Sequence, residues 1–282
     1  MDPHRNPYTP GAGTRPPALV GRDRDLAEFG IALARAGRGR HSRSFIYDGL
    51  RGVGKTVLLA ELDVAAREAG WITSGLVECN EDDRLAPLVA RLAHRILRKL
   101  SRSRAMSHSV RRALGVLSAF AVTLDETGRW RLKIEAEPVR GVADSGDLEA
   151  DIVELVAEVG RAATEHGAGV ALFLDEMQFL GREDLSMLSA AMHRISQETM
   201  PVVLAGAGLP QLPLMLKEAK PYTERLYEFR TIGSLSRAQA RQALVMPAER
   251  AGARFTEGAL DLLLEQSAGY PYFVQQWGET VW

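Results

Sequence analysis

The octet Gly49-Leu50-Arg51-Gly52-Val53-Gly54-Lys55-Thr56 fits the pattern G-x-x-x-x-G-K-[ST]. It stands between an apolar stretch, Ser44-Phe45-Ile46-Tyr47, and a helix-like run, Val57-Leu58-Leu59-Ala60-Glu61-Leu62. A strand that turns through glycines straight into a helix leaves consecutive backbone N–H groups aimed at one point, at the positive end of the helix. Such a loop cradles phosphates and commits the chain to an α/β fold. Gly49, Gly52, Val53, Gly54 and Val57 are expected to line the cradle, Lys55 to reach the β/γ oxygens, and Thr56 to offer its hydroxyl to Mg²⁺. The implied ligand is a nucleoside triphosphate with Mg²⁺.

With 282 residues, 46% hydrophobic and 25% charged, the chain can bury a full core; it is too long for one minimal domain and short for three. One α/β domain with a small lid is the natural division. A net charge of -1 supplies no global field toward DNA or a membrane. The basic residues are 30 Arg and 5 Lys, a bias that follows genome composition rather than function. Cys79 is the only cysteine, which excludes an internal disulfide and a cysteine-clustered metal site and points to a reducing cytoplasm. It reads as a buried small hydrophobe or an inert thiol. His41, His94, His108, His166 and His193 share no metal-ligand spacing and read as surface or packing residues. No apolar run approaches the ~20 residues of a membrane span, and the N-terminal region carries Pro and Gly where a signal peptide needs an apolar core. The expected location is the cytoplasm, away from membranes.

Residues 1–18 hold Pro3, Pro7, Pro10, Pro16, Pro17, Gly11 and Gly13, which resist helix and predict an extended arm, lying on the domain or loose in solvent. A helical pattern from Asp23 leads to the first strand at about 43–48. The loop's helix runs to Gly70, and a second strand covers Trp71 to Glu78. Val170-Ala171-Leu172-Phe173-Leu174 and Pro201-Val202-Val203-Leu204-Ala205 are continuous apolar runs, as buried parallel strands should be. Helices are expected from about Asp147 to His166 and Arg182 to Thr199, and a fifth strand near Phe229 to Ile232. Strands alternating with helices predict right-handed βαβ units and a parallel sheet with helices on both faces. From Ser236, a capping box (Ser236-Arg237-Ala238-Gln239) opens a helix expected to stop at Pro247. Thr256 caps another helix, and Gly269-Tyr270-Pro271 precedes the last. The division is therefore an arm (1–18), a core (19–235) and a helical lid (236–282).

The core is expected to carry an insertion at about 91–140. Asp82 or Asp83 can cap a helix whose Leu85, Leu88, Val89, Leu92, Ile96, Leu97 and Leu100 form one apolar face. Its other face is basic. Between Arg91 and Arg112 there are eight Arg/Lys and no Asp/Glu, so the rest of the chain carries -9. A solvated face is the plainer reading, because no aromatics interleave the charges; a phosphate-backbone or acidic-partner patch is the sharper one. Val116 to Thr123 and Arg129 to Glu135, flanking Glu126-Thr127-Gly128, alternate as a β-hairpin would.

Asp175-Glu176 follows an apolar strand directly, which puts both carboxylates at its C-terminal end, beside the phosphate loop if the two strands are parallel and neighbouring. The pair resembles a Walker B element with a catalytic glutamate. In that reading Asp175 holds Mg²⁺ through water and Glu176 orients and deprotonates the attacking water.

Val20-Gly21-Arg22-Asp23-Arg24-Asp25-Leu26 resembles the box that precedes the phosphate loop in AAA+ ATPases related to origin-recognition initiators and to STAND signalling ATPases. Gly206-Ala207-Gly208-Leu209-Pro210, Glu224-Arg225-Leu226 and Gly269-Tyr270-Pro271-Tyr272-Phe273 are similar to further elements of that group. The resemblance covers about residues 18–282. It implies a P-loop NTPase with sheet order 5-1-4-3-2, Gly21 and Arg22 near the adenine, Pro271 closing the lid over the base, and Arg225 where relatives can place an arginine that reaches a neighbouring subunit's γ-phosphate. A homo-oligomer is then expected.

Two departures from the group stand out. The fourth strand usually ends in a polar or basic sensor for the γ-phosphate, and Gly206-Ala207-Gly208 offers none, which points to slow hydrolysis or a switch role. Lys55 and Asp175 are also 120 positions apart, the excess being the basic helix and hairpin. The sequence reaches Trp282 without a winged-helix domain of the kind such families often place next, so DNA contact through a C-terminal domain is expected to be either unavailable to this chain or removed from it. The leading reading is a Mg-dependent ATP-binding hydrolase, an ATPase whose nucleotide state controls a protein partner or an assembly. The alternative is a nucleotide-gated nucleic-acid binder gripping phosphates through 91–112, and a small-molecule kinase, lacking any recognisable acceptor pocket, stands third.

Overall fold

The computed structural model describes residues 2–11, 13–103, 107–125 and 136–282. Five strands, β1 (Ser44–Asp48), β2 (Ile72–Glu78), β3 (Val170–Asp175), β4 (Val202–Gly208) and β5 (Tyr227–Thr231), form one sheet in the order β2-β3-β4-β1-β5. Every pairing is parallel. This is the expected P-loop NTPase order. Because side chains alternate along a strand, each apolar run divides between two cores. Phe45, Tyr47, Phe173, Val203 and Ala205 join the cluster built with α1 (Asp23–Ala36) and α2 (Lys55–Glu68). Ile46, Leu172, Leu174 and Leu204 join the larger cluster on the other face. That face is covered by α3 (Leu85–Ser103), α4 (His108–Asp125), α5 (Leu148–His166), α6 (Arg182–Gln197) and α7 (Leu212–Ala219).

The hairpin expected at 116–123 is helix. Val110, Ala113, Val116, Leu117 and Phe120 of α4 are fully buried, at a spacing of three and four, while Val122 is exposed. Alternation over eight residues was a shorter pattern inside a longer helical one, and burying one large apolar side chain is worth about 1.5–3 kcal/mol. The hairpin's other arm, from Arg129 to Glu135, lies outside the described residues. The start of α3 is served differently from expectation as well. The Leu85 N–H donates to Asp184 of α6 at 3.1 Å, while Asp83 accepts from Asn80 and pairs with Arg91. Elsewhere local signals act as read: Asp147 caps α5, and Gly167, at φ 70°, closes it.

Past β4, the chain crosses α7 and a short helix, α8 (Thr223–Leu226), before β5, and then packs α9 (Arg237–Arg250), α10 (Glu257–Ser267) and α11 (Pro271–Val281) into a separate cluster. Ser236 and Gln239 form the capping box of α9. This helix runs on past Pro247 to Arg250, because a proline near the last turn forfeits one hydrogen bond without ending the helix. The arm lies across this cluster. Tyr8 is buried among Leu244, Phe255 and Trp282, and its hydroxyl donates to the Leu244 carbonyl. Asn6 donates to Glu279 O, Trp282 Nε1 to Asp2 O, and Arg250 to Pro17 O. Farther along, Arg15 pairs with Glu61 of α2 at 2.7 Å, so the arm bridges the three-helix cluster and the sheet domain. Among the described residues no helix is long and apolar enough to cross a membrane.

Candidate phosphate-binding cleft

The loop between β1 and α2 turns on Gly52 and Gly54, at φ 81° and 91°, a region that costs an L side chain roughly 1 kcal/mol or more. Gly49 answers a different demand. A side-chain carbon there would lie 2.3 Å from the Ile232 carbonyl oxygen, so only glycine lets the loop leave the sheet against the end of β5. Lys55 opens α2 and is buried, its ammonium donating to the carbonyls of Gly49 and Leu50 at 2.9 and 3.0 Å. Burial lowers its pKa, and the nearby carboxylates of Glu176 and Asp175 oppose the shift.

β4 lies between β1 and β3, so the strand that leads into the loop and the strand that ends in Asp175 are not neighbours. The Thr56 side chain spans the gap, its hydroxyl donating to Asp175 Oδ2 at 2.6 Å. Asp175 is buried; desolvation raises its pKa, while the Thr56 hydroxyl and the Glu176 N–H, which donates to Oδ1 at 2.9 Å, work against that rise. Glu176 holds a left-handed backbone, φ 53° and ψ 37°, in which a non-glycine residue is strained. A hydroxyl beside a carboxylate is a hard-oxygen donor set that suits Mg²⁺ with phosphate oxygens and water as its remaining ligands. No group of three or more His, Cys, Asp or Glu among the described residues could hold a metal by itself.

Lys55, Thr56 and Glu176 border a cleft of about 310 Å³, while Gly49 and Asp175, the latter bonded to Thr56, lie outside its lining. Gly52, Val53, Gly54, Lys55, Thr56, Val57 and Glu176 form its floor, Arg22 and Val20 one wall, and Pro271, Tyr272, Val274 and Gln275 of α11 another. The Tyr272 N–H donates to Gly52 O at 3.3 Å, tying α11 to the loop. Arg22 donates to Val53 O and Gly233 O at 2.9 and 3.0 Å, and its burial lowers its pKa. Gly21, at φ 73°, sits behind it against Gln239, outside the lining. Arg225 is exposed on α8 and is not part of the cleft. Sequence reasoning missed the arm's share. Thr9, Pro10, Gly13, Thr14 and Pro16 are part of the lining, and the signal that could have found them is Tyr8, a lone large aromatic in a Pro/Gly segment that needs somewhere to be buried. Cys79 is buried just past the end of β2, its N–H donating to the Asp175 carbonyl at 3.0 Å, and desolvation pushes its thiol up to about 12.

The family model described as "AAA ATPase domain" matches residues 18–204. No curated protein matches the sequence. Among solved structures, the Orc1 protein of Aeropyrum pernix, determined in complex with DNA, is 17% identical with a TM-score of 0.51, over 96% of this chain and 61% of that one. Cdc6p from Pyrobaculum aerophilum is 15% identical with a TM-score of 0.53, over 99% and 63%. A Walker-type ATPase of Pyrococcus abyssi is 13% identical with a TM-score of 0.52, over 94% and 68%. At such identities the likeness is one of fold, and this chain spans about six tenths of the length of the first two.

Proposed function

The chain belongs to the AAA ATPase domain family, and on that premise we propose that it is a Mg-dependent ATP hydrolase whose nucleotide state governs a protein partner or an assembly. The observation that carries this reading is the convergence of Lys55, the Thr56–Asp175 pair and Glu176 on one cleft. Lys55 turns its ammonium from the loop carbonyls to the β/γ-phosphates, and the N–H groups of residues 52–57 hold the remaining phosphate oxygens. Thr56 and Asp175 hold Mg²⁺, which when bound neutralises charge on the β/γ-phosphates. Glu176 takes a proton from water as that water attacks the γ-phosphorus, giving ADP and inorganic phosphate. Arg22, with Gly21 behind it, on one side and Pro271 on the other enclose the base. Arg225, outside the cleft, serves a neighbouring subunit's γ-phosphate in a homo-oligomer. The site of action is the cytoplasm.

Single-turnover hydrolysis tests it. Glu176→Gln keeps size and polarity while removing the base, so Mg-ATP binds and turns over ~10²–10⁴-fold more slowly. Equal rates in Glu176→Gln and parent would leave ATP as a structural or signalling ligand.

A second reading rests on α3. Arg91, Arg95, Arg98 and Arg102 recur at helical spacing and are all exposed, a cationic row. Gripping a nucleic-acid backbone through this row would make binding fall with salt at a log-log slope of about -0.9 for each neutralised phosphate, a law that a protein partner need not follow.

A further inference from the structure

At the end of β4, the glycines that deny the strand a sensor side chain have a reason to be there. A side-chain carbon at Gly206 would lie 2.2 Å from Met177 Sδ, and one at Gly208 would lie 2.7 Å from Leu212 Cδ2 of α7 and 2.8 Å from Gln178 Oε1. The space is filled from the exit turn of β3 and the start of α7 instead. Gln178 thereby reaches two groups. Its Oε1 accepts from the backbone N–H of Leu209, just past β4, at 3.1 Å, and its Nε2 donates to Glu176 Oε2. The chemistry fixes the orientation of this amide: a backbone N–H can only donate and a carboxylate can only accept, so flipping the amide would break both bonds.

We propose that Gln178 is a positioning residue for hydrolysis, which anchors the Glu176 carboxylate to the backbone at the end of β4 and so supplies, from the β3 turn, the polar group that β4 lacks. This rests on the reading of Glu176 as the base. Glu176 sits on a strained backbone, and its side chain borders the cleft, so its direction depends on what holds it. Gln178 commits one carboxylate oxygen; among the described residues no protein donor engages the other, which is left for water. Since Leu209 N–H is fixed by the strand before it, the amide between it and Glu176 has little freedom to wander.

Steady-state and single-turnover hydrolysis of four variants test this. Gln178→Ala lowers kcat ~10–100-fold with the KM for Mg-ATP little changed, as loss of an orienting partner should. Gln178→Glu keeps an acceptor for Leu209 N–H but loses the donor to Glu176, so it too is slow; parent-like kcat in this variant would overturn the proposal, since a merely structural role would survive. If Gln178 acts through Glu176, adding Gln178→Ala to Glu176→Gln slows hydrolysis no further, whereas an undiminished extra loss would mean that it acts elsewhere. A Mg-ATP thermal shift shows that each variant is folded and binds. Should Glu176→Gln hydrolyse at the parent rate, the base reading fails; should it be slow while Gln178→Ala matches parent, only the present inference fails.

Discussion

Thr56 Oγ1 and Asp175 Oδ2 meet at 2.6 Å although 119 residues and the whole of β4 separate them. This contact joins the end of one strand to the start of a helix that leaves from another, and in the proposed function it is where Mg²⁺ would be held. It also keeps a carboxylate out of water. Burial raises the Asp175 pKa above its ordinary value, so near the carboxylate range the folded protein holds the proton more tightly than the unfolded chain does. Above the raised pKa the fold carries a buried charge that the unfolded chain exposes to solvent, and this penalty persists at neutral pH. As pH falls through the raised pKa, the penalty is relieved.

Asp175→Asn therefore raises the melting temperature of the nucleotide-free protein near pH 7, by an amount that shrinks as the solution is acidified through the carboxylate range. The same variant loses the Mg²⁺ dependence of ATP binding. Melts across pH, with and without Mg-ATP, check both; a variant less stable than parent at neutral pH would mean that the Thr56 bond outweighs desolvation.

Lys55→Ala abolishes the stabilisation that Mg-ATP gives the parent. Ligand at a hundred times its dissociation constant contributes about 2.7 kcal/mol, which a melt resolves readily. An unchanged shift in the variant would separate the loop from phosphate binding.

Tyr8 fastens the arm. Tyr8→Ala empties a buried aromatic site and costs roughly 3–5 kcal/mol within the three-helix cluster, whereas Tyr8→Phe removes one hydrogen bond to the Leu244 carbonyl and costs about 0.5–1.5 kcal/mol. Because the arm lines the cleft, Tyr8→Ala also weakens ATP binding. Denaturant unfolding and ATP titration of the same variants would expose a purely structural arm as one that loses stability and keeps affinity.

Arg225→Ala leaves ATP affinity intact and lowers turnover, and mixing it with Lys55→Ala, which retains its own Arg225, restores activity. Specific activity measured over a range of protein concentrations is the check: no dependence would exclude a role between subunits.

Where the sequence was informative, the reason is local. The octet at Gly49, the apolar runs at Val170 and Val202, and the caps at Asp147, Ser236 and Thr256 each encode their structure within a few residues. Their order along the chain, with the resemblance, was enough for the sheet. What stayed hidden depends on partners distant in sequence. Asp184 serves the start of α3 from 99 residues away, and Gln178 reads as an ordinary turn residue until Leu209 is beside it. Alternation around Phe120 misled because α4 is apolar on more than one face over that stretch, so a period of two was always available to find. The arm was read by its prolines and not by Tyr8, whose seat is 236 residues downstream.

That separation has a consequence for how the molecule is made. A ribosome adding 5–20 residues per second delivers Tyr8 roughly ten to fifty seconds before Leu244 exists to receive it. Over that interval all five strands, the last ending at Thr231, can emerge and pair. The floor of the cleft is thus laid while two of its walls are missing, and the arm and the three-helix cluster close on it last. A nucleotide that touches both would act as a late clasp on a sheet already formed, governing how the arm and that cluster are held rather than whether the sheet forms.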